Sequence, residues 1–150
     1  MRDEMDRATP GSALLTTRVL WALLLAGQAS YLLTVMLIWA RRAIPPVTLE
    51  GRRLAAYLAI AGLVVLLPLG YHLRNQAYKK HWRGDAIAPR GYISGNLILF
   101  VLCQLACTLG LTAALVQGAF WPGAAPAAVA VAAYFVNFPN GRAMQPAAPA

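Results

Sequence analysis

The sequence predicts an all-α fold, an integral membrane four-helix bundle, and three observations carry that expectation. The 150 residues are 59% hydrophobic and only 12% charged, with a mean hydropathy of +0.56, whereas soluble domains carry about a quarter charged residues. Four long apolar runs contain none of the thirteen bases or five acids. Each run is close to the length that crosses a bilayer, and short polar segments separate them. This distribution argues against a buried carboxylate or lysine as a chemical centre.

The first eighteen residues carry Arg2, Arg7 and Arg18, the acids Asp3, Glu4 and Asp6, and the Pro10, Gly11, Ser12 group. They read as a cytoplasmic N-terminal segment, 1–18, ahead of one four-helix transmembrane domain, 19–140. Residues 19–40 run for twenty-two positions without a charge. At about 1.5 Å each they reach roughly 33 Å, enough for a hydrocarbon core of about 30 Å. A signal-peptide core is shorter, roughly 7–15 residues, so a retained span is expected.

Arg41 and Arg42 close this helix, and Pro45 and Pro46 cannot continue it, because proline lacks the amide donor and restricts its predecessor. Residues 54–73 form the second span, with Pro68 and Gly70 marking a kink or an early end. Residues 74–90 are the most polar stretch and read as a juxtamembrane loop with room for a short interfacial helix.

The third span, 92–117, holds Ser94, Asn96, Cys103, Gln104, Cys107, Thr108 and Thr112. Small and polar side chains favour contact with other helices, so this helix is expected to be the most enclosed. Gly110 should accordingly tolerate substitution less well than Leu99, assigned to the lipid-facing side. Trp121, Pro122 and Gly123 make the next turn. The alanine-rich run 124–138 is marginal for a crossing at fifteen residues, and extending it to 121–138 makes it adequate. The alanine- and proline-rich end, 141–150, is expected to be a disordered tail.

Four spans put both termini and the second loop on one side. That side carries nine bases (Arg2, Arg7, Arg18, Arg74, Lys79, Lys80, Arg83, Arg90 and Arg142), and the other carries four (Arg41, Arg42, Arg52 and Arg53). Bases accumulate on the cytoplasmic side, so both termini are expected there, in a multi-pass protein of the inner (cytoplasmic) membrane. Eleven of the thirteen bases are arginine in an alanine-rich chain, a composition that suggests a bacterial, GC-rich genome.

Gln28 and Gln104 fall near the middle of the first and third spans, which run in the same direction. An unpaired amide at the bilayer midplane costs several kcal/mol, so hydrogen bonding is expected. The structural reading is an interhelical polar clasp of Gln28 and Gln104, with Asn96 and Thr108, contributing about 0.6 to 2 kcal/mol. The functional alternative is a transport or ion-binding site. Glutamine has no titratable proton and cannot carry one.

Gly110, Ala114 and Gly118, Gly91 and Gly95, and Ala55 and Ala59 recur at four-residue spacing, which lets helix backbones approach closely in lipid. Cys103 and Cys107 share a helix face without histidine or acid nearby and read as packing residues. His72 and His81 read as interfacial anchors beside Tyr71, Tyr78 and Trp82. Arg74, Lys79, Lys80, Arg83 and Arg90 are candidates for contact with anionic lipid headgroups, at about 1 kcal/mol per base, or are topogenic only. No cofactor, metal, catalytic constellation or nucleic-acid partner is implied.

The run QLACTLGLTAAL at 104–115 resembles the ion-carrying helix of the proteolipid c subunit of rotary ATPases. In that family a mid-helix acid is often followed by a Gly-Leu pair and then Ala-Leu, matched here by Gly110-Leu111 and Ala114-Leu115. Gln104 stands where the acid would be. The resemblance therefore implies shared helix packing, covers one helix of four, and argues against a rotor function. Two functions remain in view. One is a non-enzymatic structural or accessory subunit of a membrane assembly, or a homo-oligomer. The other is a small transporter or channel component, against which the acid-free interior weighs.

Overall fold

The computed structural model describes residues 9–41 and 47–145. Residues expected to shape topology at Arg2, Asp3, Glu4, Asp6, Arg7, Arg42, Pro45 and Pro46, and the tail 146–150, lie outside the described residues. Four helices form the body: α1 (Pro10–Ala40), α2 (Leu49–Lys80), α3 (Pro89–Gln117) and α4 (Ala125–Val136). The first three are long and apolar enough to cross a membrane.

The helices overrun the apolar runs because capping, and not hydropathy, sets their ends. Thr9 opens α1 by accepting a hydrogen bond from the Ser12 amide, with Pro10 at the first helical position. Thr48 does the same for α2 through the Gly51 amide. Gly118 ends α3 in the left-handed conformation, φ +65°. The early end expected near Pro68 does not occur: α2 continues to Lys80.

The loop expected over 74–90 is therefore mostly helix. What remains is a tight hairpin of β1 (Trp82–Arg83) and β2 (Ala86–Ile87), paired Trp82 to Ile87 and Arg83 to Ala86. Its turn needs Gly84 at φ +59°, a backbone setting that glycine adopts without steric cost. The hairpin returns α3 antiparallel to α2, with Gly70 against Leu99, Gly95 against Tyr78 and Gly91 against His81.

In the most apolar 18-residue stretch, 50% of α3 is buried against 11% of α1 and of α2, so α3 is the central helix. Leu99 is nevertheless fully buried, contrary to the lipid-facing assignment, and Leu97, Val101, Leu105 and Leu109 form the exposed aliphatic edge. At 3.6 residues per turn those four fan over about a third of the helix circumference, and Leu99 falls on the opposite side with Cys103, Ala106 and Gly110. The outer faces of α1 and α2 expose Leu15, Leu23, Leu33, Leu58, Val64 and Val65.

The fourth helix is shorter than the expected 121–138. Trp121 precedes a proline and is extended (φ −111°, ψ 134°), which breaks the helix there. At twelve residues, about 18 Å, α4 alone cannot cross a 30 Å core. Its flanking chain continues along the bundle at both ends. Phe120 packs edge-on against Trp39 at 6.1 Å, and the Pro139 carbonyl accepts from Arg18 Nε at 3.2 Å. Segment 120–139 therefore covers the same length of the bundle as 18–39 of α1.

Nor is the start of the tail disordered. The Gly141 amide donates to Tyr92 Oη at 3.0 Å, and Met144 is buried beside Ala13, Ile87 and Tyr92. Met144 thus lies beside the start of α1.

Candidate functional site

Along α1 only Ala13, Thr17, Gln28 and Val35 are buried. Thr17 satisfies its hydroxyl within the helix, donating to the Ala13 carbonyl at 2.8 Å. Gln28 does not. It is 6% exposed, and both its amide oxygen and its amide nitrogen are buried without a hydrogen-bond partner.

The expected clasp is not made. Gln28 and Gln104 line one small void of about 10 Å³, together with Cys103, Cys107 and Tyr134. Ala130 and Val131 of α4 enter the same junction, and the Gln28 amide stays buried without a bond to Gln104. A side-chain hydrogen bond joins α1 to α3 between Tyr31 Oη and Thr112 Oγ1, at 2.7 Å. Asn96 is eight residues from Gln104, about 12 Å along the helix. Its amide nitrogen donates to Tyr78 Oη (2.8 Å) and to the Tyr92 carbonyl (2.9 Å). Thr108 contributes its carbonyl to Thr112 at 2.8 Å and does not line the void. The four polar residues thus divide between two levels of the bundle.

Gln28 also lines a larger cleft of about 330 Å³ between α1, α3 and α4. Cys107, Leu111 and Ala127 form its buried floor, and Ala29, Trp121 and Ala128 its exposed rim. The accessible wall of the cleft is apolar throughout, because the amide atoms of Gln28 are themselves buried behind it, and the cleft opens on the outer face of the bundle.

A second polar cluster lies near the level of Arg18. Arg74 is half-buried: Nη1 donates to Asn137 Oδ1 at 2.7 Å, and the guanidinium lies over the rings of Tyr71 (5.0 Å) and Tyr78 (5.7 Å). Its Nε is buried without a partner. Asn137 Nδ2 donates to Tyr71 Oη (2.5 Å) and to the Ala133 carbonyl (2.7 Å). Through Tyr78, Asn96 and Tyr92 the cluster reaches Gly141, so one polar chain ties α2, α3, the end of α4 and the tail. This corrects the headgroup set: Arg74 is committed inside the fold because α2 continues past it. Arg90 is half-buried at the start of α3, whereas Lys79, Lys80 and Arg83 are exposed.

The α1–α4 seam is closed by a reciprocal pair. Tyr134 Oη donates to the Trp21 carbonyl at 2.9 Å, Trp21 Nε1 donates to the Tyr134 carbonyl at 3.3 Å, and their rings stack at 5.6 Å. The residues that organise the polar contacts and went unremarked in the sequence are thus Trp21, Tyr31, Tyr134 and Asn137. Their one visible signal is that each is a polar or polar-tipped side chain within or ending an otherwise apolar run.

No protein-family model matches the chain, and no curated protein or solved structure does either.

Proposed function

We propose that this chain is a non-enzymatic integral membrane protein of the inner membrane that crosses the bilayer four times, with both termini cytoplasmic, and serves as an accessory subunit of a larger membrane assembly. The observation that carries the reading is the outer surface of α1 and α2, where large aliphatic side chains stand exposed along helices of crossing length. Contiguous apolar surface of that extent needs lipid or protein against it. The matching of segment 120–139 to 18–39 supports a fourth crossing, made by a short helix that follows an extended Trp121 and ends in a turn at Asn137. Non-helical backbone at membrane depth is tolerated where protein covers it, and here Trp21, Arg18 and Tyr71 lie against 137–139.

Several polar side chains tie helices together, which suits a structural role. Asn96, Asn137, Tyr134 and Thr112 each hydrogen-bond across or within helices. The exposed Lys79, Lys80 and Arg83 by the hairpin lie where anionic headgroups of the cytoplasmic leaflet would meet them. Gln28 gives the second reading, a small transporter component with a polar site at mid-depth, its one specific support.

Gentle detergent extraction followed by native mass measurement tests the proposal. An accessory subunit comes out with larger partners. A monodisperse monomer that supports solute flux in proteoliposomes, with flux lost in Gln28→Leu, would favour the transporter instead.

A further inference from the structure

We propose that the corner where α2 meets the β1–β2 hairpin is a preformed docking surface for anionic phospholipid headgroups, with Lys79, Lys80 and Arg83 meeting the phosphates and Trp82 as its anchor in the interface. The inference rests on the membrane reading above and turns its exposed bases into a fixed, lipid-selective surface. Direction is the first support. Within 79–83 only His81 turns inward, its Nδ1 at 2.9 Å from the Ala77 carbonyl and its side chain close against Gly91. Lys79, Lys80, Trp82 and Arg83, on either side of it, are all exposed.

The corner is also held rigid. The His81 carbonyl accepts from the Ala88 amide at 2.9 Å, the two strands pair, and Ile87 is buried beside Ala13 and Met144. Trp82 Nε1 donates to the Gly84 carbonyl at 2.6 Å, which pins the ring across the turn while 57% of the residue stays exposed. A surface already ordered loses less conformational freedom when a headgroup binds.

Its charge is unanswered within the fold. Arg18 and Arg74 direct their guanidinium groups to the Pro139 carbonyl and the Asn137 side chain, whereas the side chains of Lys79, Lys80 and Arg83 have no partner among the described residues. Over the whole sequence the hairpin end carries nine bases against the four acids Asp3, Glu4, Asp6 and Asp85, so it stays net positive. Depth then selects the partner. Ala13, packed beside the hairpin, is fifteen residues from Gln28 at the middle of the first span, about 22 Å along α1. Half a bilayer with its headgroups measures about 20–22 Å. The bases therefore stand at phosphate level, and an exposed tryptophan at that depth, apolar in body and polar at one edge, suits lipid better than water.

The test is a titration of the full chain in neutral detergent with dioleoylphosphatidylglycerol and with dioleoylphosphatidylcholine, read as bound lipid by native mass measurement. The parent should bind the anionic lipid more tightly. Lys79→Gln, Lys80→Gln and Arg83→Gln should each weaken phosphatidylglycerol binding roughly fivefold, the effect of one base near a headgroup, and leave phosphatidylcholine unchanged. Trp82→Ala should weaken both lipids alike. Arg41→Gln, Arg52→Gln and Arg53→Gln combined remove the same charge from the opposite end and should keep the preference. Helix content of each variant by circular dichroism establishes that it is folded. Equal affinity of the parent for both lipids, a preference that survives loss of all three hairpin bases, or an equal loss in the opposite-end variant overturns the proposal. Binding of polyglutamate through the same bases without any lipid preference would assign the surface to an acidic protein and overturn it as well. Extraction of the chain by alkaline carbonate without detergent would instead overturn the membrane reading beneath it.

Discussion

Replacing Gly110 with alanine opposes two effects whose sizes the structure sets. A methyl group at Gly110 would lie 2.6 Å from the backbone nitrogen of Ala127, 3.0 Å from its Cα and 2.9 Å from its Cβ. Ordinary contact is near 3.5 Å, so α4 would retreat by about 0.9 Å, and a gap of that size forfeits a quarter to a half of each dispersion contact along the seam. The obstacle is backbone and cannot rotate away. Overpacking of this kind costs about 2–3 kcal/mol. Alanine returns about 1 kcal/mol of helix propensity, leaving a net loss of about 1–2 kcal/mol. Gly27→Ala is the matched control: nothing lies within 4 Å of its Cβ position, so only the gain of about 1 kcal/mol remains. The two variants should differ by about 2–3 kcal/mol, or roughly 4 to 12 °C in melting temperature for a chain of this size. Circular dichroism melts in one detergent measure it. Coincident melts would mean that α3 and α4 are not held at backbone contact there.

Two further expectations follow from the polar contacts. Asn137→Ala removes the uncharged partner of Arg74 along with the bonds to Tyr71 and Ala133, and should lower stability by about 2–4 kcal/mol in detergent, measured as a fall in melting temperature; an unchanged melt would show that the cluster at the end of α4 does not organise the fold. Gln104→Leu should stay within about 1 kcal/mol of the parent, since Gln104 is not bonded to Gln28, whereas Gln104→Glu places a carboxyl group at a junction lined by apolar side chains and should melt lower; the reverse order would restore the clasp.

The existence of α1, α2 and α3 was legible because charge-free runs of twenty or more residues leave few alternatives to a helix in lipid. Their ends were less so, since a helix continues through the interface until a cap stops it, and the caps at Thr9 and Thr48 are local signals that hydropathy ignores. The enclosure of α3 followed from its small and polar residues, but the face of Leu99 did not: aliphatic side chains lie on every side of α3 and differ only in what packs on them. The division of Gln28, Gln104, Asn96 and Thr108 was hidden for a related reason. Midplane depth can be counted along one helix, whereas the lateral spacing of α1, α3 and α4 depends on Ala130 and Val131 entering between them. Arg74 looked interfacial because charge in a loop normally is, and only the continuation of α2 turns it inward to Asn137, sixty-three residues away.

The most direct test of the account is the sidedness of three single cysteines introduced by Glu50→Cys, Asp85→Cys and Gln145→Cys, all at exposed positions. Cys103 and Cys107 are buried and should stay silent to a membrane-impermeant maleimide, which makes the native background usable. Four crossings with cytoplasmic termini require positions 85 and 145 to react only in inside-out vesicles and position 50 only in right-side-out ones. Reaction of position 145 from the same side as position 50 would contradict the account, leaving three crossings and α4 as a helix that enters the membrane without traversing it.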